Sequence, residues 1–409
     1  MSPVKKRTAG GTVTVRMYNV GFGDAFLLAF PGSPPRKVLV DCGSHRAGPG
    51  PEPIADVAAR IVRDVTASDG VPRIDVVVAT HRHQDHVSGF ASPVWKDVHV
   101  SEVWMPWTEN PDDPAARKIR VAQSSGAAKL HAALRLAGAP DPLLDLVANS
   151  LTNEKAMTTL HEGFAGKPAR LFLPKKGGER KAFTSAALPG VTVHLLGPSR
   201  DPDVLRDMDP PKGKGYLRVG PDADEEGGSG LPFRRRWALT PREFDATAAF
   251  AHLRLPEKYR KAVDAIGQDD DLAVAVALDA AVNGTSLMLM FEIGRAFLLF
   301  SGDAQWGTWN AVRSDEASAE LLRKTVFYKV GHHGSHNATP RAFVEEDLSH
   351  PRAMVSTRSL PQWSLIPKKE LMAALAEKSG AVVRSDRLSS LPPGFTKHGT
   401  VWVETKIPV

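Results

Sequence analysis

Cysteine is nearly absent: Cys42 is the single one in 409 residues. One thiol forms no internal disulfide, which excludes a cystine-stapled scaffold and fits a reducing compartment. Also missing is any apolar run near the ~20 residues needed to span a bilayer, so no membrane association is expected. Met1 to Gly11 is polar and basic (Lys5, Lys6, Arg7) and lacks the apolar stretch of a secretory signal, which makes the cytoplasm the expected location.

What is present is enough for a sizeable core. Hydrophobic residues make up 42% of the chain, which argues against global disorder. Lys and Arg number 52 against 46 Asp and Glu, a surplus of 52 − 46 = 6. A basic balance favours polyanionic partners such as nucleic acid or phosphate esters, and is equally compatible with a merely basic soluble protein.

Apolar-rich runs at Thr12–Tyr18, Asp24–Phe30 and Lys37–Val40, separated by Gly and Pro turns, predict a β-meander. Ile54–Val65 has helical spacing, and Ile74–Ala79 reads as a buried strand. From about Pro111 to Phe164 the pattern is helical, with strand candidates following at Arg170–Leu173 and Val191–Leu196. Residues 199–237 are rich in Pro, Gly and charge and are expected to form a mobile loop, with a helical stretch at Pro241–Ile266 after it. Strands resume at Ser286–Ile293, Ala296–Phe300, Thr325–Val330, Ala353–Ser356, Ala381–Arg384 and Thr400–Glu404, with a helix pattern at Lys368–Lys378. No repeat of fixed period is present. The expected organisation is two similar halves, 1–102 and 283–409, around a largely helical and loop insertion at 103–282.

Directly after the strand at 74–79 stands Thr80-His81-Arg82-His83-Gln84-Asp85-His86. The turn beyond a buried strand is where α/β sheets usually carry their chemistry. The spacing lets His81 and His83 reach one metal ion while Asp85 and His86 reach a second. Imidazole and carboxylate donors suit zinc, manganese or iron, and a two-ion centre activates water and polarises a phosphoryl or carbonyl oxygen. Of 14 histidines in the chain, three fall within these six residues, which weighs against a chance surface loop. Ser301-Gly302-Asp303 ends another apolar run, placing Asp303 either to bridge two ions or to cap a helix. Gly331-His332-His333-Gly334-Ser335 follows a third, its glycines allowing close backbone approach to a ligand.

Thr80 to Gly89 (THRHQDHVSG) resembles the signature motif of the metallo-β-lactamase superfamily. A narrower resemblance is to the soluble hydrolase domain of bacterial DNA-uptake channel proteins and their free-standing relatives. It rests on Asn19 to Asp24, Val40 to Gly43, Asn283 with Ser286, Ser301 to Asp303, and Lys329 to Ser335, and covers roughly residues 12–100 and 283–405. The resemblance implies an α/β fold, an αββα sandwich, with one or two divalent ions (Zn or Mn). It puts His81 and His83 on metal 1, Asp85 and His86 on metal 2, and Asp303 between them. His332 or His333 completes the site or contacts substrate phosphate. We count His332 among the expected ligands, Asp85 and His333 as the expected catalytic pair, and Ser335 as a substrate contact. Asp24 and Asp41 are expected nearby. The chain departs from the family at Phe22, where Gln is common, and at Leu365-Ile366-Pro367, where a His often precedes the Pro. A third histidine motif is also missing, with His161 and His194 the nearest candidates.

The expected activity is that of a metal-dependent phosphodiesterase, a nuclease acting on DNA. The alternatives are a hydrolase of small esters, lactams or thioesters, and a degenerate-site protein that serves as a binding or regulatory module. Phe233-Arg234-Arg235-Arg236-Trp237 joins cations to aromatics as nucleic-acid contacts do, though an exposed basic turn reads the same way. Its neighbouring Gly-rich stretch Asp222–Gly230 also suits cleavage by an activating protease, or docking of a protein partner.

Overall fold

The computed structural model describes residues 11–121, 153–211, 213–216, 282–360 and 365–409, with positions 128, 132 and 135 between them. In chain order the strands are β1 (Thr12–Tyr18), β2 (Ala25–Phe30), β3 (Arg36–Cys42), β4 (Arg73–Val78), β5 (His99–Pro106), β6 (Ala169–Leu173), β7 (Ala182–Thr184) and β8 (Thr192–Gly197). After these come β9 (Met288–Ile293), β10 (Ala296–Phe300), β11 (Phe327–Lys329), β12 (Arg352–Val355), β13 (Ala381–Arg384), β14 (Phe395–His398) and β15 (Trp402–Pro408). They form an eight-stranded sheet in the order β14-β15-β1-β2-β3-β4-β5-β6 and a seven-stranded sheet in the order β13-β12-β11-β10-β9-β8-β7.

The layering follows from where the apolar side chains go. Along β1, Val13, Val15 and Met17 point inward while Thr14 and Arg16 stay partly exposed, the period of two that one buried face requires. These inward residues join Phe26, Leu28 and Val76 of the first sheet to Leu289, Phe291, Leu298 and Phe300 of the second in one core between the sheets. The outer face of the first sheet is covered by α1 (Ile54–Val65), whose Val57, Ala58, Ile61 and Val65 lie on one stripe. On the second sheet the covering helices are α3 (Trp306–Ser314), α4 (Glu316–Arg323) and α5 (Lys369–Lys378), with α2 (Gln84–Val87) a single turn after β4. Trp309, Val312, Leu322, Leu371 and Leu375 pack there against Met288, Leu299 and Tyr328. Helix, sheet, sheet, helix is the αββα sandwich expected from the sequence.

The division of the chain needs a correction. Residues 103–106, 169–173, 182–184 and 192–197 fall inside the segment read as an insertion, yet they are sheet strands: β5 pairs with β4 and β6, and β8 with β9. The sequence reading missed β5 because Ser101 and Glu102 interrupt its apolar pattern. The helical stretch at 241–266, the basic run Arg234 to Arg236, and most of the loop at 199–237 lie outside the described residues. Within that loop, Pro202–Arg206 forms a short helix capped by Asp201. Among the described residues no helix is long and apolar enough to cross a membrane.

β3 to β6 run parallel, as do β10 to β13. Loops following parallel strands gather at the carboxyl ends of those strands, and there the polar residues singled out from the sequence converge.

Candidate metal centre

Asp41 lies near the end of β3, and the stretch from Thr80 to His86 follows β4. Asp303 follows β10, and His332 and His333 follow β11. His81, His83, Asp85, His86, Asp303 and His333 are all buried. Four of them draw close: Asp85, His86, Asp303 and His333 each offer a donor atom, and these atoms lie within 4.8 Å of one another. His333 Nε2 is 3.0 Å from Asp85 Oδ2, and His86 Nε2 is 3.1 Å from Asp303 Oδ2. The cross pairs, His86 with Asp85 and His333 with Asp303, are 3.9 and 4.0 Å apart. His81 Nε2 and His83 Nδ1 form a second pair 3.1 Å apart, adjoining the first group through the His81 and His86 rings.

Three of the rings, His81, His86 and His333, are held from behind. His86 Nδ1 donates to Asp41 Oδ2 at 2.9 Å, and Asp41 is itself fixed by the Thr80 amide and hydroxyl, both at 2.7 Å. His333 Nδ1 donates to the Ser356 carbonyl at 2.9 Å, and the Phe22 ring lies 4.3 Å from the His333 ring. Ser286 Oγ is 3.2 Å from His81 Nδ1 and also accepts from the Asp303 amide. Backing of this kind sets ring orientation and ligand basicity in metal sites. Asp303 does not cap α3, since the residue at that N-terminus is Gln305.

Backbone geometry concentrates here too. Asp41, His332 and His333 adopt left-handed φ values of 57°, 45° and 53°. Such residues cost about 1 kcal/mol or more each and persist only where surrounding contacts hold them. Gly43 explains the glycine after Cys42: a Cβ there would run into the backbone of Asp85 and His86. Cys42 is buried, and burial pushes its thiol up, so it is no nucleophile.

The electrostatics are lopsided. Asp24, Asp41, Asp85 and Asp303 are buried together, and Lys329 is the one permanent cation that contacts them among the described residues. Burial opposes the charge on Lys329, but its ion pair with Asp24 and the nearby Asp303 outweigh this and hold the ammonium above its ordinary value. Burial likewise opposes an imidazolium at His86, yet Asp303, Asp85 and Asp41 push its pKa well above the usual range. Asp85 and Asp303 resist the upward push of burial and sit well below the usual carboxylate range, mainly through His86. Burial, reinforced by His86 and His83, keeps His81 neutral.

These residues fit a divalent ion. Two imidazole nitrogens and two carboxylates are a borderline-hard donor set, and the imidazole–carboxylate separations of 3.0 to 4.0 Å bracket the roughly 3.4 Å between donors around a four-coordinate ion. Asp85 Oδ1 is buried without a hydrogen-bond partner, and four carboxylates outnumber their cations. A buried surplus of negative charge is costly unless a cation offsets it.

Sequence expectation and geometry part at the second histidine pair. His333 stands in the four-donor group, whereas the Nδ1 of His332 is engaged by Ser335 at 2.9 Å and its Nε2 stays 3.8 Å from Asp303. Ser335 thus contacts His332 and Asn337. His194 is tied to Glu292 on the second sheet, and His161 stacks on Phe172, so neither supplies a further donor. Lys329 was not singled out as a site residue. The signal was available, because a lysine closing an apolar strand run needs a buried acid.

No family model matches the chain, and no curated protein does. Among solved structures, zinc-bound PqqB from Methylobacterium extorquens aligns with a TM-score of 0.38 and 10% identity, over 91% of this chain and 97% of that one. The sandwich and its cluster of buried histidines and aspartates are established by the topology and distances above, and a likeness at this level adds nothing to them.

Proposed function

We propose that this chain is a metal-dependent phosphodiesterase, with DNA as its substrate. The observation that carries the reading is the buried four-donor group of Asp85, His86, Asp303 and His333, contributed by both sheets and short of positive charge. Those four residues hold one ion, and His81 with His83 serve a second. Bound there, a divalent ion supplies Lewis acidity toward a phosphoryl oxygen and a water activated at neutral pH. Asp41 and Ser356 keep the Nε2 atoms of His86 and His333 turned toward the centre. Lys329 restrains Asp24 and stays near Asp303, so the latter's carboxylate is held in place before any ion arrives. His332, partly exposed beside Asp303, is placed to meet a substrate oxygen. The surplus of six basic residues favours a polyanion over a neutral ester.

The test is cleavage of plasmid and single-stranded DNA with manganese, zinc or chelator, alongside metal analysis and the Asp303→Asn variant. Metal-dependent cutting that disappears in Asp303→Asn supports the reading. Stoichiometric ion without cutting would move the substrate to small esters, lactams or thioesters. A chain that takes up no ion would be a binding module.

A further inference from the structure

A groove of about 740 Å³ opens beside the candidate metal centre, and nothing in the hydrolytic site uses it. Two of its wall residues adjoin residues that touch His333. Thr357 follows Ser356, the acceptor for His333 Nδ1, and Gly21 precedes Phe22, whose ring packs on His333. The opposite walls come from the turn after β13 and from β14.

Three cations line it: Arg358, Arg387 and Lys397. None has a carboxylate partner among the described residues; Arg358 donates to the Pro49 carbonyl and Lys397 to the Leu388 carbonyl. The one acid on the wall, Asp386, is already neutralised by two hydrogen bonds from Arg384, at 2.9 and 2.7 Å. Thr357, on the same wall, is fully buried, so the exposed cations are what an occupant of the groove would meet. Among the described residues no aromatic side chain lines the space, and charge is what the groove offers.

We propose that the groove is a phosphate subsite for an extended phosphodiester chain, holding a phosphate away from the one at the metal centre. This rests on the phosphodiesterase reading. Unpaired cations recognise backbone phosphate without reading sequence, so the groove gives affinity and register while cleavage remains tolerant of base identity. It also gives a long substrate a grip that a small phosphate ester lacks.

The experiment measures binding of a short, fluorescently labelled phosphorothioate oligonucleotide to the full chain across a salt series. Phosphorothioate keeps the charge and resists cleavage, so the groove is read independently of hydrolysis. The double variant Arg387→Glu, Lys397→Glu is expected to bind at least tenfold more weakly. Its log K against log salt slope should fall by about 1.4, since each lost contact on a single strand contributes roughly 0.7. Melting temperature and bound metal equal to the parent verify that the double variant folds. Unchanged affinity and slope in the double variant would overturn the proposal. So would displacement by inorganic phosphate as effective per phosphate as by unlabelled oligonucleotide, which would make this a site for the free anion. Binding lost in the double variant of a protein that cuts no DNA would retain the groove and discard only the hydrolytic reading.

Discussion

The loop after β4 carries His81, His83 and His86, and the loop after β11 the adjacent pair His332 and His333, each beyond the tip of a buried strand, but they deliver them differently. The first uses ordinary backbone: His83 is extended, at φ −65° and ψ 151°, and Asp85 and His86 ride on the single turn of α2. Its alternating spacing alone aims the donors. The second relies on left-handed backbone at both His332 and His333. That conformation splits the pair, sending His333 into the donor group and leaving His332 against Ser335 and Asn337. A regular loop makes its ligands readable from spacing, whereas a strained one decides between neighbours only once it is folded.

The largest test of that contrast is to remove each histidine of the second loop in turn. His333→Ala should reduce metal affinity by more than about 100-fold, beyond the range usual for outer partners, and His332→Ala by less than about tenfold. Equal losses in competitive metal titrations would erase the distinction drawn between the two. Next comes the support behind the first loop. Asp41→Asn keeps the size of the side chain but removes the charge behind His86, and should cost about 10 to 100-fold in metal affinity. An effect as large as that of His333→Ala would mean Asp41 is itself a ligand.

The smallest expected effect is on the pH dependence of the chelated protein. His86 has a folded pKa raised above its unfolded value, so its contribution is fully present below the ordinary histidine range and is lost as pH rises through the raised value. Asp85 and Asp303 are depressed, so their contribution is present above the ordinary carboxylate range and lost only in acid. The denaturation midpoint of metal-free protein should therefore fall from neutral pH into the alkaline range, and saturating divalent ion should flatten the curve. A profile that is flat without the ion would show that the first loop does not depend on an imidazolium.

Much of the frame was legible because burial imposes periodicity. Ile54–Val65 and Ala296–Phe300 have the bounds their apolar spacing suggested, and β1 alternates from Thr12 to Met17. What escaped was short or polar. β14, Phe-Thr-Lys-His, has one buried residue and three exposed ones, and β7 is three residues long, so neither carries a pattern. Long-range pairing escaped as well: nothing local says that β15 returns to lie against β1, or that β5 and β6 flank one another across more than sixty residues. At the site, the stretch from His81 to His86 was readable by donor spacing. The choice of His333 over His332, and the ion pair between Lys329 and Asp24, depend on backbone conformation and on partners distant in sequence.

The donors that meet at the centre are far apart along the chain: 217 residues separate His86 from Asp303, and 248 separate Asp85 from His333. During synthesis the first sheet's donors leave the ribosome long before their partners exist. β15, which pairs with the very first strand, is made last of all the strands. A nascent chain therefore exposes Asp85 and His86 before Asp303 and His333 exist, and the four donor atoms cannot come together until residue 333 has left the ribosome, so an ion that needs all four would be gained only late in synthesis.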